Sequence, residues 1–274
     1  MTRHSRRSSK GMMLVEDPRE TIKAACEFYG RTVDLQRYKS TYEEIIGRYT
    51  KPIHIKHAHT HFYSLTSFNI LSPVESGKGL YTLSHLGKQL CENLQKSDIN
   101  EYKKILRYIL LNNPNKGNLF QNFLEFISEC SHRSRKELYE KFKEIPARAL
   151  ISWSIEAGLI DNLKDKFWII EIPSEKDIDL DKFWNILNSY YNELTSSEIF
   201  GIDKVFVDIR DLTSKFCIKY NWSIDEFDEY LRKLLDSEYE AQIRLYGAPT
   251  SYFANKKNFM YNNRVYAFLR IMVS

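Results

Sequence analysis

A chain of 274 residues that is 43% apolar has material for two or three small cores. Its 10 glycines and 7 prolines, set against 18 tyrosines and 16 phenylalanines, favour helices with short connections over a strand-and-turn architecture. No run of about 18 apolar residues occurs, so no bilayer span is expected.

The start, MTRHSRRSSKGMMLV, lacks the apolar core and cleavage site of a signal peptide. The expectation is a cytoplasmic protein. Net charge is +4, but it is unevenly spread. Residues 1–97 carry 15 basic against 9 acidic residues, residues 98–172 carry 12 against 11, and residues 173–274 carry 13 against 16. The positive excess lies in the N-terminal third, which points mildly to a polyanion there. Cys26, Cys91, Cys130 and Cys217 form no C-x-x-C pair and lie among apolar helical residues. They read as buried free thiols, without a disulfide framework or a zinc site.

Residues 1–17 read as a flexible basic arm, with Arg3, Arg6, Arg7 and Lys10 among serines. Pro18 opens a helix whose apolar positions Ile22, Ala25, Cys26 and Tyr29 run to Gly30. The spacing predicts a second helix over 35–49 and a third from about His57, carrying Phe62, Leu65 and Phe68. Gly77 and Gly79 flank Lys78 in a tight turn, 80–83 is a short strand, and Ser84 caps a helix through Leu86, Leu90, Cys91 and Leu94.

The segment Tyr81-Thr-Leu-Ser-His-Leu-Gly-Lys-Gln-Leu90 resembles the wing strand and following helix of the winged-helix superfamily. There a Y-x-L-T/S-x-x-G-x-x-L pattern recurs, and its glycine allows close packing of the last helix. A similar order returns twice. Helices over 101–111 and 118–130, the capping box Ser134–Glu137, the helix opened by Pro146 and the strand 167–170 make the second. After a helix over 181–194, a strand at 204–207, a helix over 208–218, the capping box Ser223–Glu226 and strands at 241–246 and 264–272 make the third. The resemblance implies a mainly α protein with short β-hairpins (α+β), built as three tandem winged-helix units. The units would span 18–97, 98–172 and 200–274, with 173–199 as a linker helix.

The stretch His54-Ile-Lys-His-Ala-His-Thr-His61 holds four of the seven histidines. A metal site would need three or four converging ligands, commonly with a carboxylate or cysteine among them. The nearest acids, Glu43, Glu44 and Glu75, lie well off in sequence, so no metal and no cofactor is expected. In a winged helix this stretch begins the helix that enters the major groove, where His, Lys and Thr reach phosphates or base edges. The resemblance therefore implies a reading surface of Lys56, His57, His59, Thr60, His61 and Ser64 with the wing residue Lys78. The arm suits a neighbouring minor groove. Further phosphate contacts are expected from Arg133, Arg135 and Lys136 at a helix start, with Arg148 a weaker candidate, and from Lys256, Lys257 and Arg264 in a long third wing.

No phosphate loop, G-x-S-x-G, H-E-x-x-H or EF-hand loop is present, and no catalytic residues are assigned. The paired acids Asp179/Asp181 and Asp225/Asp228 read as caps and exposed helix faces. The expected partner is double-stranded DNA, bound by a transcription regulator or DNA-recognition component. A protein partner, or a second copy of the chain, is expected at the acidic third unit. The alternatives are a winged-helix scaffold for protein assembly and a metal-dependent nuclease or restriction enzyme.

Overall fold

A computed structural model describes residues 18–47, 58–75, 79–114, 116–170, 178–196, 205–247 and 258–272. These residues are mainly helical, with small antiparallel sheets, an α+β composition. The chain divides into two compact lobes, 1–160 and 161–274.

The N-terminal lobe begins with α1 (Pro18–Cys26), α2 (Leu35–Gly47) and α3 (Ala58–Ser67). The short strands β1 (Leu71–Pro73) and β2 (Tyr81–Leu83) pair antiparallel, Leu71 opposite Leu83. Val33 adds a single bridge on the other side of Tyr81, each residue's N–H donating to the other's carbonyl at 2.8 Å. Helix α4 (His85–Gln95) follows, then α5 (Ile99–Leu111), α6 (Gly117–Ser128), the two-residue strand β3 (Arg133–Ser134), α7 (Arg135–Phe142) and α8 (Glu144–Glu156). Tyr38, Phe62 and Leu65 fill the space among α1, α2 and α3, while Phe68 meets Phe120 of α6 and Trp153 of α8.

Local chemistry explains where these helices start. Ser84 accepts the Gly87 N–H at 3.0 Å, Asp98 the Glu101 N–H at 3.1 Å, and Ser134 and Glu137 form a reciprocal capping box. Gly87 has a second task. A Cβ there would lie 2.3 Å from the Ile70 carbonyl oxygen, which itself accepts the Ser84 N–H at 3.0 Å. Only glycine lets α4 start against that corner. The first helix is shorter than its apolar spacing suggests. It stops at Cys26, and Tyr29 is exposed and donates to Glu92 rather than packing inward.

The C-terminal lobe holds most of the hairpin β4 (Ile160–Leu163) and β5 (Lys166–Ile169), then α9 (Leu180–Thr195) and β6 (Val207–Asp208). Helices α10 (Ile209–Tyr220) and α11 (Ile224–Leu235) lead through a 3-10 turn at Glu238–Gln242 to β7 (Ile243–Tyr246). A separate hairpin, β8 (Phe259–Tyr261) and β9 (Arg264–Tyr266), precedes β10 (Phe268–Ile271). Strand β10 lies between β6 and β7, antiparallel to both. The expected strand over 264–272 is therefore two strands. Phe183, Phe216, Trp222 and Phe227 form an aromatic core beneath them.

One sequence expectation fails outright. Cys26 and Cys91 are joined in a disulfide, their Cα atoms 5.4 Å apart, because the end of α1 and the middle of α4 pack together. Cys130 is free and exposed, and Cys217 is free and buried.

Candidate nucleic-acid interface

Helix α3, AHTHFYSLTS, contains no acidic residue. Its 3.6-residue period sorts the expected reading residues onto opposite sides. His59 is exposed, as is Tyr63 one turn on at 48%, and Thr66 continues that stripe at partial exposure. Thr60, His61 and Ser64 lie on the other side and are buried. Assigning those three to a DNA surface is thus corrected: all three are buried, and His61 faces α1 and α2.

His61 shows why a histidine is found inside. Its Nδ1 lies 2.7 Å from the Thr21 hydroxyl of α1, its Nε2 lies 3.2 Å from the Tyr42 hydroxyl of α2, and its ring rests against Tyr42 at 4.7 Å. A neutral imidazole offers one donor and one acceptor, which two hydroxyls can satisfy in either sense. Tyr38 closes the seam by donating to the Thr21 carbonyl at 3.2 Å, and burial pushes its phenol well above the usual tyrosine range. His61 is a three-helix pin. It fixes the roll of α3 and so turns His59 and Tyr63 outward.

The arm residues Arg3, Arg6, Arg7 and Lys10, together with Lys56, His57, Lys78, Lys256 and Lys257, lie outside the described residues. Among the described residues no group of three or more histidine, cysteine, aspartate or glutamate side chains converges as metal ligands would. No described helix is long and apolar enough to cross a membrane.

Arg133 is occupied by structure. Its guanidinium sits 4.1 Å over the Phe126 ring, donates to the Phe126 carbonyl at 2.9 Å and reaches Glu129 and Glu137 at 2.8 and 3.3 Å. The arginine ties the end of α6 to the start of α7, a task that replaces the expected phosphate contact. Arg135 and Lys136 are exposed on α7, with Lys136 4.0 Å from Glu140. Arg148 is exposed on α8 and pairs with Glu144 at 3.7 Å. The lobe's last helix is fixed from behind: Arg107 donates to the Ala157 and Gly158 carbonyls at 2.8 and 2.9 Å.

In the C-terminal lobe the hairpin β4–β5 does not stand free. Asp161 accepts the Ile224 N–H at 2.9 Å, Trp168 donates to the Trp222 carbonyl at 2.8 Å, and Lys164 bonds Asp208 and Asp211. The start of α11 is thereby covered by protein. Its outward side carries Asp225 and Glu229, with Lys233 paired to Glu229. Arg264 is exposed at the foot of the Asn262–Asn263 turn, whose two residues have φ of 47° and 60°. The hairpin holding it is docked on α11 by Tyr261, which donates to Asp236 at 2.7 Å, and by Arg232, which donates to the Met260 carbonyl.

Sequence reasoning missed a buried ion pair. Arg210 donates from both terminal guanidinium nitrogens, Nη1 and Nη2, to Asp228 at 2.6 and 2.9 Å, with both side chains almost fully buried. Reading Asp228 as part of an exposed face is therefore corrected. The signal was present: Ile224, Phe227, Asp228, Leu231 and Leu235 share one helical stripe, and an acid there needs a buried cation. Burial pushes the Asp228 carboxyl above its ordinary range, while Arg210 and Arg232 pull it down. No family model, no curated protein and no solved structure matches this chain.

Proposed function

We propose that the chain binds double-stranded DNA through three tandem winged-helix units, as a cytoplasmic transcription regulator or DNA-recognition component, with the first unit as principal reader. The order α1, bridging Val33, α2, α3, β1, β2, α4 supports a winged helix in the first unit. The order β6, α10, α11, β7, β10, with β10 central, supports one in the third. The observation that carries the choice of reader is the outward stripe of α3. His59 and Tyr63 are exposed on a helix with no carboxylate, so nothing on it repels phosphate. Helix α11, the corresponding helix of the third unit, is acidic on its outer side and covered at its start.

That covering favours a second reading for the C-terminal lobe alone, as a module for protein assembly. A hairpin that would serve as a wing is already engaged through Asp161, Lys164 and Trp168.

Titrating the protein into labelled duplex at about 50 and about 200 mM salt tests the main reading. Affinity should fall steeply between the two, as counterion release is lost. Replacing His59 and Tyr63 together by alanine should weaken binding about tenfold or more, within the range of removing one base-specific interaction. Arg264→Ala should change it less than about twofold, well below that range. No binding at the lower salt refutes DNA binding, and a large loss at Arg264 moves the reader to the C-terminal lobe.

A further inference from the structure

Cys26 ends α1, Cys91 sits within α4, and 65 positions separate them. The intervening loop contains all of α2, α3, β1 and β2, which is the part of the lobe that carries the outward stripe of α3. The two cysteines differ in exposure. Cys91 is fully buried, whereas Cys26, at a helix end, is partly exposed as a residue. Near the bond, Tyr29, in the turn after α1, donates to Glu92 of α4 at 2.5 Å.

We propose that the Cys26–Cys91 bond is a redox-governed staple of the N-terminal lobe, opened by thiol reductants at Cys26 and closed again by a disulfide oxidant of the glutathione type. A reductant thiolate attacks the Cys26 sulfur, a mixed disulfide forms there, and Cys91 leaves as a thiolate that takes up a proton. A second reductant thiolate attacks the reductant's own sulfur in that mixed disulfide and releases Cys26, which is protonated in turn. Two reductant thiols become one disulfide, and the protein bond takes up two electrons and two protons. Burial of Cys91 denies the alternative first attack.

Opening the staple frees the loop in the unfolded ensemble and so lowers the stability of everything inside it. Helix α1 also supplies Thr21, the partner of His61 on α3. Loosening α1 therefore reaches the outward stripe, and any effect on DNA affinity rests on the reading of α3 as the DNA contact.

The test uses the full chain with Cys130→Ser, which removes the exposed free thiol. The protein is equilibrated with glutathione disulfide, with limiting glutathione or with excess dithiothreitol. It is then followed by alkylation and mass spectrometry, thermal melting and duplex titration. Oxidised protein should leave Cys26 and Cys91 unalkylated, and limiting glutathione should appear on Cys26. Full reduction should lower the melting temperature by on the order of 10 °C, as expected for a loop of this length in a lobe of this size. The double variant Cys26→Ser/Cys91→Ser should melt like the reduced protein and ignore reductant. Alkylation of both cysteines after oxidation, or one melting temperature in both redox states, would overturn the staple. Glutathione mapped to Cys91 would overturn the order of attack. A melting shift in a protein that binds no duplex when oxidised upholds the staple and removes the DNA reading.

Discussion

Helix α3 of the N-terminal lobe and helix α11 of the C-terminal lobe each turn inward a side chain that usually faces water, and they satisfy it differently. His61 is met by the neutral hydroxyls of Thr21 and Tyr42, from two other helices. Asp228 is met by the charged fork of Arg210, from one. The hydroxyl seam ties three helices. The ion pair ties two, and desolvation of both charges sets its cost. The outer sides differ in the same sense: α3 carries no acid, while α11 carries Asp225 and Glu229. The two helices thus present opposite surfaces to a polyanion.

The largest effect should come from breaking the charged pin. Asp228→Ala leaves the Arg210 guanidinium buried without its main partner and should destabilise the C-terminal lobe by roughly 3–5 kcal/mol in urea unfolding. Replacing both residues by apolar ones of similar volume, Arg210→Met with Asp228→Leu, should recover most of that loss. A small cost for Asp228→Ala would show that water reaches the pair and that the contrast with α3 is overstated.

The neutral pin should matter less. His61→Phe keeps the ring against Tyr42 and removes both hydrogen bonds, costing about 1–3 kcal/mol, typical of leaving a buried hydroxyl without its hydrogen-bond partner. It should also disturb the roll of α3. If α3 is the reader, His61→Phe should reduce duplex affinity at a temperature where the lobe is still folded. Unchanged affinity with lowered stability would confine His61 to holding the fold.

These contrasts mark what was legible in the sequence. Caps at Ser84, Ser134 and Ser223 were legible because a side-chain oxygen and a backbone N–H three residues on decide them locally. Gly87 was legible through its place in a pattern, although the Ile70 carbonyl it accommodates is distant in sequence. The presence of α3 was legible too, but its roll was not. Four clustered histidines suggest one shared surface, and only the hydroxyls of Thr21 and Tyr42, 40 and 19 positions away, decide that His61 faces inward. The Cys26–Cys91 bond and the Arg210–Asp228 pair were hidden for the same reason, since tertiary contact alone brings their partners together. Arg133 misled because a basic cluster at a helix start looks alike whether it meets phosphate or Phe126, Glu129 and Glu137.

The smallest effect tests a third way of holding a charge, at the surface, where Glu137 closes the capping box of α7. The Ser134 backbone N–H and then its hydroxyl, with Arg133 beside them, hold the Glu137 carboxyl down at about 2, from an ordinary value of 4.5. A depressed folded value means that the carboxylate form is favoured by folding. Its stabilising effect is complete above about 4.5 and is lost as pH falls from there through about 2. Comparing Glu137→Gln with the parent protein should therefore show a stability difference near neutral pH that narrows across this acid window. Because Glu137 is partly exposed, added salt should also shrink the difference. The Asp228 pair, desolvated and bidentate, should respond to salt far less. A gap for Glu137→Gln that is constant from neutral pH down to about 2 would mean that the box is held by shape, and its charge would drop out of the comparison.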